Sequence, residues 1–379
     1  MKIVLAPDSF KGSLSSSEVT QVMERAIKDV DATHTVVSKP MADGGEGTIE
    51  AMLISRKGRK VNVRCTGPLG EPVESSYVLF NSNEAVIELA EIAGLTLVPT
   101  SKRNPDHTTT YGLGEVILDA IDRGAKSIMI GLGGSATNDG GLGMLMALGM
   151  KAWDKDGQSL NGYGSDLHRV HSIHFEDIDE RLKDIEIKVA CDVTNPLCGE
   201  RGASVVFGPQ KGATDQQVEK YDQSLHQYAE LIENNLSQSY QNISGSGAAG
   251  GLGFALLAIG GQLDSGAKLI AETIHLEKEI QEADLVITGE GQSDEQTLYG
   301  KAPGYVASLA NKHHVPVVLL SGSLSGDQKS LNDAFTSCFS IVNRPLSLEE
   351  SMNEVKTLLY EQTKQIIKLV GAFSARYSK

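Results

Sequence analysis

Short apolar runs near the two ends of the chain alternate with amphipathic segments. The apolar runs predict five strands, at residues 3–6, 35–38, 284–288, 316–320 and 338–342. The predicted helices between them end near Val30 and Gly58, and a last helix spans about 348–371. Alternating strands and helices are typical of a parallel sheet covered by helices, so this pattern predicts a flavodoxin-like α/β domain.

The pattern between these two parts is different. From Arg59 to Leu89, segments such as VNVRC and SSYVLF lie between turns and predict antiparallel strands. SIMIGL and IKVACDV predict two further strands, and helices are predicted at about 109–123 and 214–236. The flavodoxin-like domain is therefore expected to be interrupted by an inserted second α/β domain with a mixed sheet. The predicted bounds are 1–58 and 281–379 for the first domain and 59–280 for the inserted one.

Charge and composition restrict the possible partners. The 379 residues carry a formal net charge of −15, which repels nucleic acid and anionic membranes. No apolar run approaches the length of a membrane span. The four cysteines form no Cys-x-x-Cys pair, and the chain runs into its first strand without a signal peptide. We expect a cytoplasmic protein, and a negatively charged small substrate would need local positive charge at its site.

The stretch MADGGEGT, residues 41–48, precedes the second predicted helix. Asp43 and Glu46 have the spacing of a capping box, in which side chains accept hydrogen bonds from backbone N–H groups at a helix start. Its three glycines are not needed for that role and weaken a helix by roughly 1 kcal/mol each. We interpret them as positions where a ligand approaches the backbone, which makes both carboxylates candidates for chemistry as well as capping.

Loops that follow the strands of a parallel sheet meet at one edge, where ligands bind in α/β proteins. Four such loops are predicted here: PDSFKGS, MADGGEG, TGEGQSDEQT and SGSLSGD. All contain small residues, and Lys11 in the first adds a positive charge. Each residue by itself is also explained by turn formation, but their convergence predicts a binding site at this edge.

The inserted domain has a candidate site of its own. SIMIGLGGSATNDGGLGML reads as a strand, a glycine-rich loop and a helix, an arrangement whose backbone N–H groups can hold a phosphate. Asp139 in this loop is expected to hold a cation or to cap the helix. The alternative is a tight turn that only lets the helix pack against the strand. Asp192 follows another predicted strand, where a catalytic carboxylate can project, and FGPQKG adds Lys211.

Other familiar motifs are absent or out of context. There is no G-x-x-x-x-G-K-[ST] sequence, which excludes a P-loop ATPase. Gly245, Gly247 and Gly250 match the dinucleotide fingerprint, but they follow the polar segment QSYQNIS instead of a buried strand. The remaining inventory of glycine loops, carboxylates and lysines suits phosphoryl transfer. Two alternatives stay open, an NAD-dependent oxidoreductase of a small hydroxy acid and a nucleotide or organic-acid sensor without turnover.

Seven motifs together resemble the bacterial glycerate kinase family of the glyoxylate and glucarate pathways. In order, they are PDSFKGSLS, PMADGGEGT, GLGGSATNDGGLGML, CDVTNPL, GPQKG, SGSGAAGGLG and TGEGQSDEQTLYGK. The resemblance extends from Lys2 to the terminal helix. It implies ATP-dependent phosphorylation of D-glycerate, with 2-phosphoglycerate favoured over 3-phosphoglycerate, and an active site in the cleft between the two domains. Glycerate and ATP are the expected partners, and a homodimer is possible.

The residue roles are our own inference from this inventory. For catalysis we select Asp192 as the first choice of base, Asp43 as the second, and Lys11 as the cation that binds the glycerate carboxylate. The candidate substrate-binding residues are Asp8, Ser9, Gly44, Gly45, Glu46, Glu290 and Asp294. Glu290 and Asp294 are also the candidate Mg²⁺ ligands. The candidate ATP-binding residues are Gly133, Gly134, Ser135, Thr137, Asn138 and Lys211.

Overall fold

The computed structural model of the protein describes residues 1–45, 47–326 and 328–377. Thirteen strands are found in these residues: β1 (Lys2–Leu5), β2 (Thr35–Ser38), β3 (Gly58–Thr66), β4 (Pro72–Phe80), β5 (Glu84–Glu88), β6 (Ser127–Gly131), β7 (Lys151–Trp153), β8 (Ser172–His174), β9 (Glu186–Ala190), β10 (Gln262–Asp264), β11 (Leu285–Ser293), β12 (Val317–Leu324) and β13 (Ser337–Ser340).

Fourteen α-helices lie between or after these strands in the same described ranges: α1 (Ser16–Val30), α2 (Thr48–Ser55), α3 (Ala90–Ala93), α4 (Tyr111–Asp122), α5 (Leu142–Ala147), α6 (Ala203–Phe207), α7 (Asp215–Leu236), α8 (Ala248–Ala258), α9 (Gly266–Thr273), α10 (Leu276–Gln281), α11 (Ala302–Lys312), α12 (Gln328–Ala334), α13 (Leu348–Asn353) and α14 (Val355–Tyr377). In the described parts of the chain, no helix combines the length and apolar character needed to cross a membrane.

Two compact units divide the chain. The first contains Met1–Asp43, Glu50–Arg56 and Gly266–Lys379, and the second contains Gly44–Ile49 and Lys57–Ser265. The chain thus leaves the first unit and returns to it, as the interrupted strand pattern predicts.

The first unit is built on a five-stranded sheet in the order β2-β1-β11-β12-β13. Every neighbouring pair is parallel, with Ile3 of β1 placed between Val36 and Leu285. All three of Ile3, Val4 and Leu5 are fully buried, as expected of a central parallel strand covered on both faces. This strand order is that of flavodoxin-like sheets, so the predicted fold class is confirmed.

The second unit contains a six-stranded mixed sheet in the order β10-β9-β6-β5-β4-β3. The pairs β3–β4 and β4–β5 are antiparallel, while β5–β6, β6–β9 and β9–β10 are parallel. The predicted antiparallel segment is therefore confirmed, and the glycine-rich loop follows a central strand. Strand β6 is buried along Ile128–Gly131 because helices such as α4 and α8 supply apolar residues to the same core.

Two of the predicted loops are partly strand. Strand β11 continues through Gly289–Ser293, and β12 continues through Ser321–Leu324. Glu290 pairs with Ser321 in this extension, so the backbone of Glu290 is held by the sheet instead of by a loop. Small residues make the extension possible, since a Cβ on Gly289 would lie 2.1 Å from the carbonyl oxygen of Leu320.

Helix α1 begins with a capping box. Ser15 caps it, because its Oγ accepts from the Glu18 N–H and the Glu18 carboxylate accepts from the Ser15 N–H. Helix α2 begins at Thr48, five positions after Asp43, for which a capping box is expected. The Asp43 carboxylate lies beside Lys11. Glu46, its expected partner in the box, lies outside the described residues.

The first turn of α8 is not regular helix. Ala249, Gly250 and Gly251 are left-handed, with φ values of 53°, 71° and 89°. A Cβ on Gly250 would lie 2.2 Å from the carbonyl oxygen of Thr137, which explains the glycine. The fingerprint-like glycines therefore serve close backbone packing, and α7 with a turn precedes them where a dinucleotide site needs a strand.

Candidate active site

Three neighbouring strands of the first sheet carry one cluster of charged residues. Asp8 follows β1, Asp43 follows β2 and Glu290 lies near the end of β11. A backbone hydrogen bond holds the loop after β1 against β11, since the Asp8 N–H donates to the Gly289 carbonyl at 2.8 Å. The charges of Asp43, Glu290 and Lys11 all act on Asp8. The predicted convergence of loops thus brings four of the selected residues together.

Lys11 is the cation of this cluster. Its Nζ lies 3.4 Å from Oδ2 of Asp43, and its side chain is 81% exposed. The Asp43 carboxylate is the main cause of a raised Lys11 pKa, with smaller contributions from Asp8 and Glu290. An exposed pair of this kind contributes little to stability. Lys11 is therefore a charged group at the sheet edge that a small carboxylate can reach.

Asp8 has an unusual pKa for a carboxyl group, raised to about 7. Loss of hydration is the largest cause and the neighbouring Asp43 carboxylate is the second. The Ser9 N–H, which donates to Asp8 Oδ1 at 2.6 Å, and the Lys11 charge oppose the shift only in part. A carboxylate that titrates near neutral pH suits proton transfer. Sequence reasoning placed Asp8 among the substrate-binding residues and missed this property, because it depends on neighbours from other strands.

Glu290 and Asp294 belong to one hydrogen-bond network. Oε1 of Glu290 accepts from Ser293 Oγ at 2.9 Å and from Thr297 Oγ1 at 2.6 Å. The Asp294 N–H donates to the same Thr297 Oγ1, while Asp294 Oδ1 caps the following short 3₁₀ helix by accepting from the Gln296 N–H. Each carboxylate therefore has one oxygen committed to the fold.

Lys301 was not selected from the sequence, although it ends the motif TGEGQSDEQTLYGK. Its Nζ lies 3.9 Å from Oε2 of Glu290, at the start of α11. The available signal was a basic residue shortly after an acidic stretch, and that pattern is too common to single it out. Lys301 becomes a candidate site residue only in the structure, where it lies beside the mostly buried carboxylate of Glu290.

In the second unit, the glycines of two motifs pack backbone against backbone. A Cβ on Gly131 would lie 2.1 Å from the carbonyl oxygen of Gly44, and a Cβ on Gly133 would lie 2.6 Å from Cα of Gly45. The Gly133 N–H also donates to the Gly44 carbonyl at 3.4 Å. These contacts give three selected glycines, Gly44, Gly45 and Gly133, a packing role, whatever they contribute to ligand binding. Gly134 differs, since its φ of +73° favours glycine by itself.

Replacing Gly131 with Ala should therefore destabilise the protein strongly. The added Cβ meets a backbone carbonyl, which cannot rotate away as a side chain can. We expect a loss of about 2–4 kcal/mol in the free energy of unfolding, measured by urea denaturation. Gly371→Ala in helix α14 is the matched control, because its Cβ would meet nothing within 4 Å. Equal stability of the two variants would contradict the packing role of Gly131.

Asp139 anchors the glycine-rich loop from inside. Its carboxylate is fully buried and accepts four hydrogen bonds, from the Thr110 N–H at 2.8 Å, Thr110 Oγ1 at 2.7 Å, the Gly141 N–H at 3.2 Å and the Gly143 N–H at 3.3 Å. Burial raises its pKa and these donors oppose the shift. Of the two expected roles, the capping role fits, because the carboxylate satisfies N–H groups at the start of α5.

Lys211 lies beneath the same loop and is only 2% exposed. Its Nζ lies 2.9 Å from Ser135 Oγ and 2.6 Å from the Thr137 carbonyl oxygen. Burial lowers its pKa to about 7, and the charge of Asp139 opposes this only in part. Among the described residues, the hydrogen-bond partners of Lys211 are the neutral Ser135 hydroxyl and Thr137 carbonyl, and Asp139 is the carboxylate whose charge favours the protonated amine.

Two more polar side chains of the loop are buried without a full set of partners. Among the described residues, Thr137 Oγ1 and Asn138 Oδ1 form no hydrogen bond, although Asn138 Nδ2 lies 3.0 Å from Ser204 Oγ. Unsatisfied polar atoms of this kind are uncommon in folded proteins and need an explanation. A polar ligand at the loop is one explanation, since Thr137 Oγ1 can donate to a phosphate oxygen, whereas Asn138 Oδ1 needs a donor such as a hydroxyl group.

Asp192 follows β9, the parallel neighbour of β6, and is exposed. The Ala190 carbonyl at the end of β9 accepts from the Leu132 N–H at 3.3 Å, which ties this strand end to the start of the glycine-rich loop. Asp192 therefore follows a strand, as the sequence predicts, and lies at the same edge of the second sheet as that loop. Its catalytic role stays a prediction.

Together, these features define a class of enzyme. A flavodoxin-like unit carries a carboxylate–lysine cluster, and a second α/β unit carries a glycine-rich loop above a buried lysine; these are the groups that a phosphotransferase needs. The sequence profile of the Glycerate kinase family matches residues 3–371. The chain belongs to the glycerate kinase family, and the resemblance seen in the seven motifs is confirmed.

Individual relatives agree with this assignment. Glycerate 2-kinase of Escherichia coli (strain K12) is 48% identical over 329 residues, which cover 86% of each chain. Glycerate kinase of Bacillus subtilis (strain 168) is 42% identical, with 97% of each chain covered. A crystal structure from Salmonella typhimurium LT2, provisionally assigned as glycerate kinase 2, matches with a TM-score of 0.89 at 42% identity and covers 99% of both chains.

Proposed function

We propose that the protein transfers the terminal phosphoryl group of ATP to the 2-hydroxyl of D-glycerate. Family membership over nearly the whole chain is the observation that carries the proposal. The choice of the 2-hydroxyl rests on the similarity to a relative named glycerate 2-kinase. A cytoplasmic location and a homodimer stay predictions from the sequence.

The ATP phosphates are assigned to the glycine-rich loop after β6. Lys211 beneath it hydrogen-bonds the Thr137 carbonyl and the Ser135 hydroxyl and so holds the loop in shape, and Thr137 Oγ1 is a buried hydroxyl that can donate to a phosphate oxygen. Asp139 holds the N-terminal turn of α5 in place, so the loop is ordered before ATP binds. Such preorganised N–H groups and charges stabilise a phosphoryl group without reorganising during the reaction.

Glycerate is assigned to the carboxylate–lysine cluster of the first unit. The exposed Lys11 ammonium binds its carboxylate, which offsets the repulsion expected from the net charge of −15. Asp8 accepts the proton of the attacking hydroxyl, since its pKa of about 7 leaves much of it ionised and still basic at neutral pH. This choice of Asp8 replaces Asp192 and Asp43 as the base that we favour, and variants of all three test it.

Magnesium is the cation expected with ATP. Oε2 of Glu290 and Oδ2 of Asp294 are the oxygens not used as hydrogen-bond acceptors in the network around Thr297, so these two residues would hold it. No group of three or more acidic, His or Cys side chains in the described ranges is arranged to hold a metal. One or two carboxylates are enough for Mg²⁺, which completes its shell with phosphates and water. When bound, it neutralises charge on the transferred phosphoryl group.

A single assay tests the proposed function against its alternatives. The protein is incubated with ATP, Mg²⁺ and D-glycerate, ADP release is followed, and the product is identified by phosphorus NMR. We expect glycerate-dependent ADP release and 2-phosphoglycerate. Binding of ATP without ADP release would favour a sensor, and formation of 3-phosphoglycerate would refute the assigned hydroxyl. L-glycerate is the matched control for the expected selectivity.

A further inference from the structure

Ser135 and Lys211 form a close pair inside the second unit. Ser135 Oγ lies 2.9 Å from Lys211 Nζ, and the two residues are 8% and 2% exposed. Within the part of the chain that the structure describes, the recorded partners of Lys211 are Ser135 Oγ and the Thr137 carbonyl, and both are neutral. Asp139 is the charged group that acts on Lys211, and its oxygens are already occupied by four donors.

These contacts suit a neutral amine as well as a charged one. Lys211 Nζ donates to Ser135 Oγ at 2.9 Å and to the Thr137 carbonyl at 2.6 Å. A neutral Lys211 keeps the second bond, and at the same Nζ–Oγ separation its lone pair can accept the Ser135 hydroxyl proton. Burial lowers the pKa of Lys211 to about 7, so a large fraction is neutral at physiological pH. A serine hydroxyl that donates to a neutral lysine is an activated nucleophile, as in Ser–Lys catalytic pairs.

The backbone holds Ser135 firmly in the loop. On one side the Gly134 carbonyl accepts from the Leu95 N–H at 2.7 Å, and on the other the Ala136 N–H donates to the Ala93 carbonyl at 2.9 Å. Lys211 then fixes the orientation of the hydroxyl. The nucleophile is therefore positioned before any ligand arrives, which is the usual requirement for efficient attack.

We propose that Ser135 is a phosphoryl acceptor, which takes the terminal phosphoryl group of ATP when no acceptor alcohol is bound. The inference rests on the proposed function, because it needs ATP at this loop. Ser135 Oγ forms a bond to the γ-phosphorus, the bond from that phosphorus to the bridging oxygen of ADP breaks, and Lys211 takes the hydroxyl proton. The products are phosphoserine 135, ADP and a charged Lys211, whose ammonium can then pair with the new phosphate.

The test uses the full chain with ATP and Mg²⁺ in the absence of glycerate. Intact mass and peptide mapping should show one added phosphoryl group, at Ser135. Ser135→Ala and Lys211→Met should both lose it. Ser204→Ala is the matched control, since Ser204 is a buried serine of the same unit that contacts Asn138 instead of Lys211. The rate of modification should rise with pH through about 7, as Lys211 becomes neutral.

The result can be separated from the fate of the proposed function. Normal glycerate-dependent ADP release with Ser135 unmodified, or modification at another residue, overturns the inference. If no ADP forms in either assay, the proposed function fails. A phosphonofluoridate probe, which labels activated serines, then tests whether Lys211 activates Ser135. Faster labelling of Ser135 in the wild type than in Lys211→Met supports the pair, while equal or absent labelling refutes it.

Discussion

Asp8→Asn should nearly abolish phosphorylation of glycerate while leaving the fold intact. An amide cannot accept the hydroxyl proton, and loss of a general base typically lowers the rate about 10²–10⁴-fold. The fold should survive because Asn can still accept from the Ser9 N–H. The substitution also removes a carboxylate that Asp43 and Glu290 repel. The measurement is kcat and kcat/KM in the glycerate-dependent ADP assay, with thermal unfolding followed in parallel.

The pH dependence gives an independent check on Asp8. A base must be ionised to accept a proton, and the pKa of Asp8 is about 7. The wild-type kcat/KM should therefore rise with pH and level off above about 7, because the protonated fraction of Asp8 is inactive. In Asp8→Asn this acid limb should disappear from the residual activity.

Asp192→Asn and Asp43→Asn are the comparison variants, since the sequence selected those residues as the base. Under our assignment Asp192→Asn keeps the acid limb near pH 7. Asp43→Asn should shift that limb to lower pH, because the Asp43 charge contributes to the raised pKa of Asp8. A complete loss of turnover in Asp192→Asn with near-normal activity in Asp8→Asn would return the role to Asp192.

Asp139→Ala should be among the most destabilising single substitutions in the second unit. It leaves the Thr110 N–H and hydroxyl and two glycine N–H groups buried without their acceptor. Each unsatisfied buried group costs about 1–3 kcal/mol, and partial relaxation leaves an expected loss of about 3–5 kcal/mol. Urea denaturation measures this loss as a lower midpoint.

The matched control is Asp215→Ala at the exposed start of helix α7. That aspartate interacts mainly with the helix N-terminus, so its loss should cost about 0.3–1 kcal/mol. Thr110→Val probes the same network from the other side and should be intermediate. If Asp139→Ala kept wild-type stability but lost ATP binding, Asp139 would be a cation ligand, as the sequence also allowed.

The elements of the fold could be predicted from the sequence because buried elements contain apolar residues at neighbouring positions of the chain. Strands such as β1 and β6 are continuous apolar runs, since helices cover both faces of a parallel sheet. Ser15 and Glu18 cap α1 through neighbours three residues apart, which is also a local property. Strand ends were less well predicted, because Gly289–Ser293 (GEGQS) has no apolar side chain and extends β11 through pairing with β12.

The chemistry depends more on contacts between distant parts of the chain. Sequence reasoning identified the motifs that carry Asp8, Lys11, Asp43 and Glu290, because small and acidic residues gather after the strands. It could not show that Asp8 has a pKa near 7, since the causes are desolvation and the charge of Asp43, which follows another strand. Nor could it separate the two expected roles of Asp139, which Thr110 and the glycines decide.

The sequence by itself determined the family, the order of the elements and the places where glycines cluster. The tertiary structure decided what those glycines do: Gly131 and Gly133 let their loop pack against the backbone of MADGGEGT. It also decided that the carboxylate of Asp43 in that stretch lies beside Lys11. The physical reason is range, since periodicity and capping act within a few residues, whereas desolvation, charge coupling and backbone contact depend on residues that only the fold brings together.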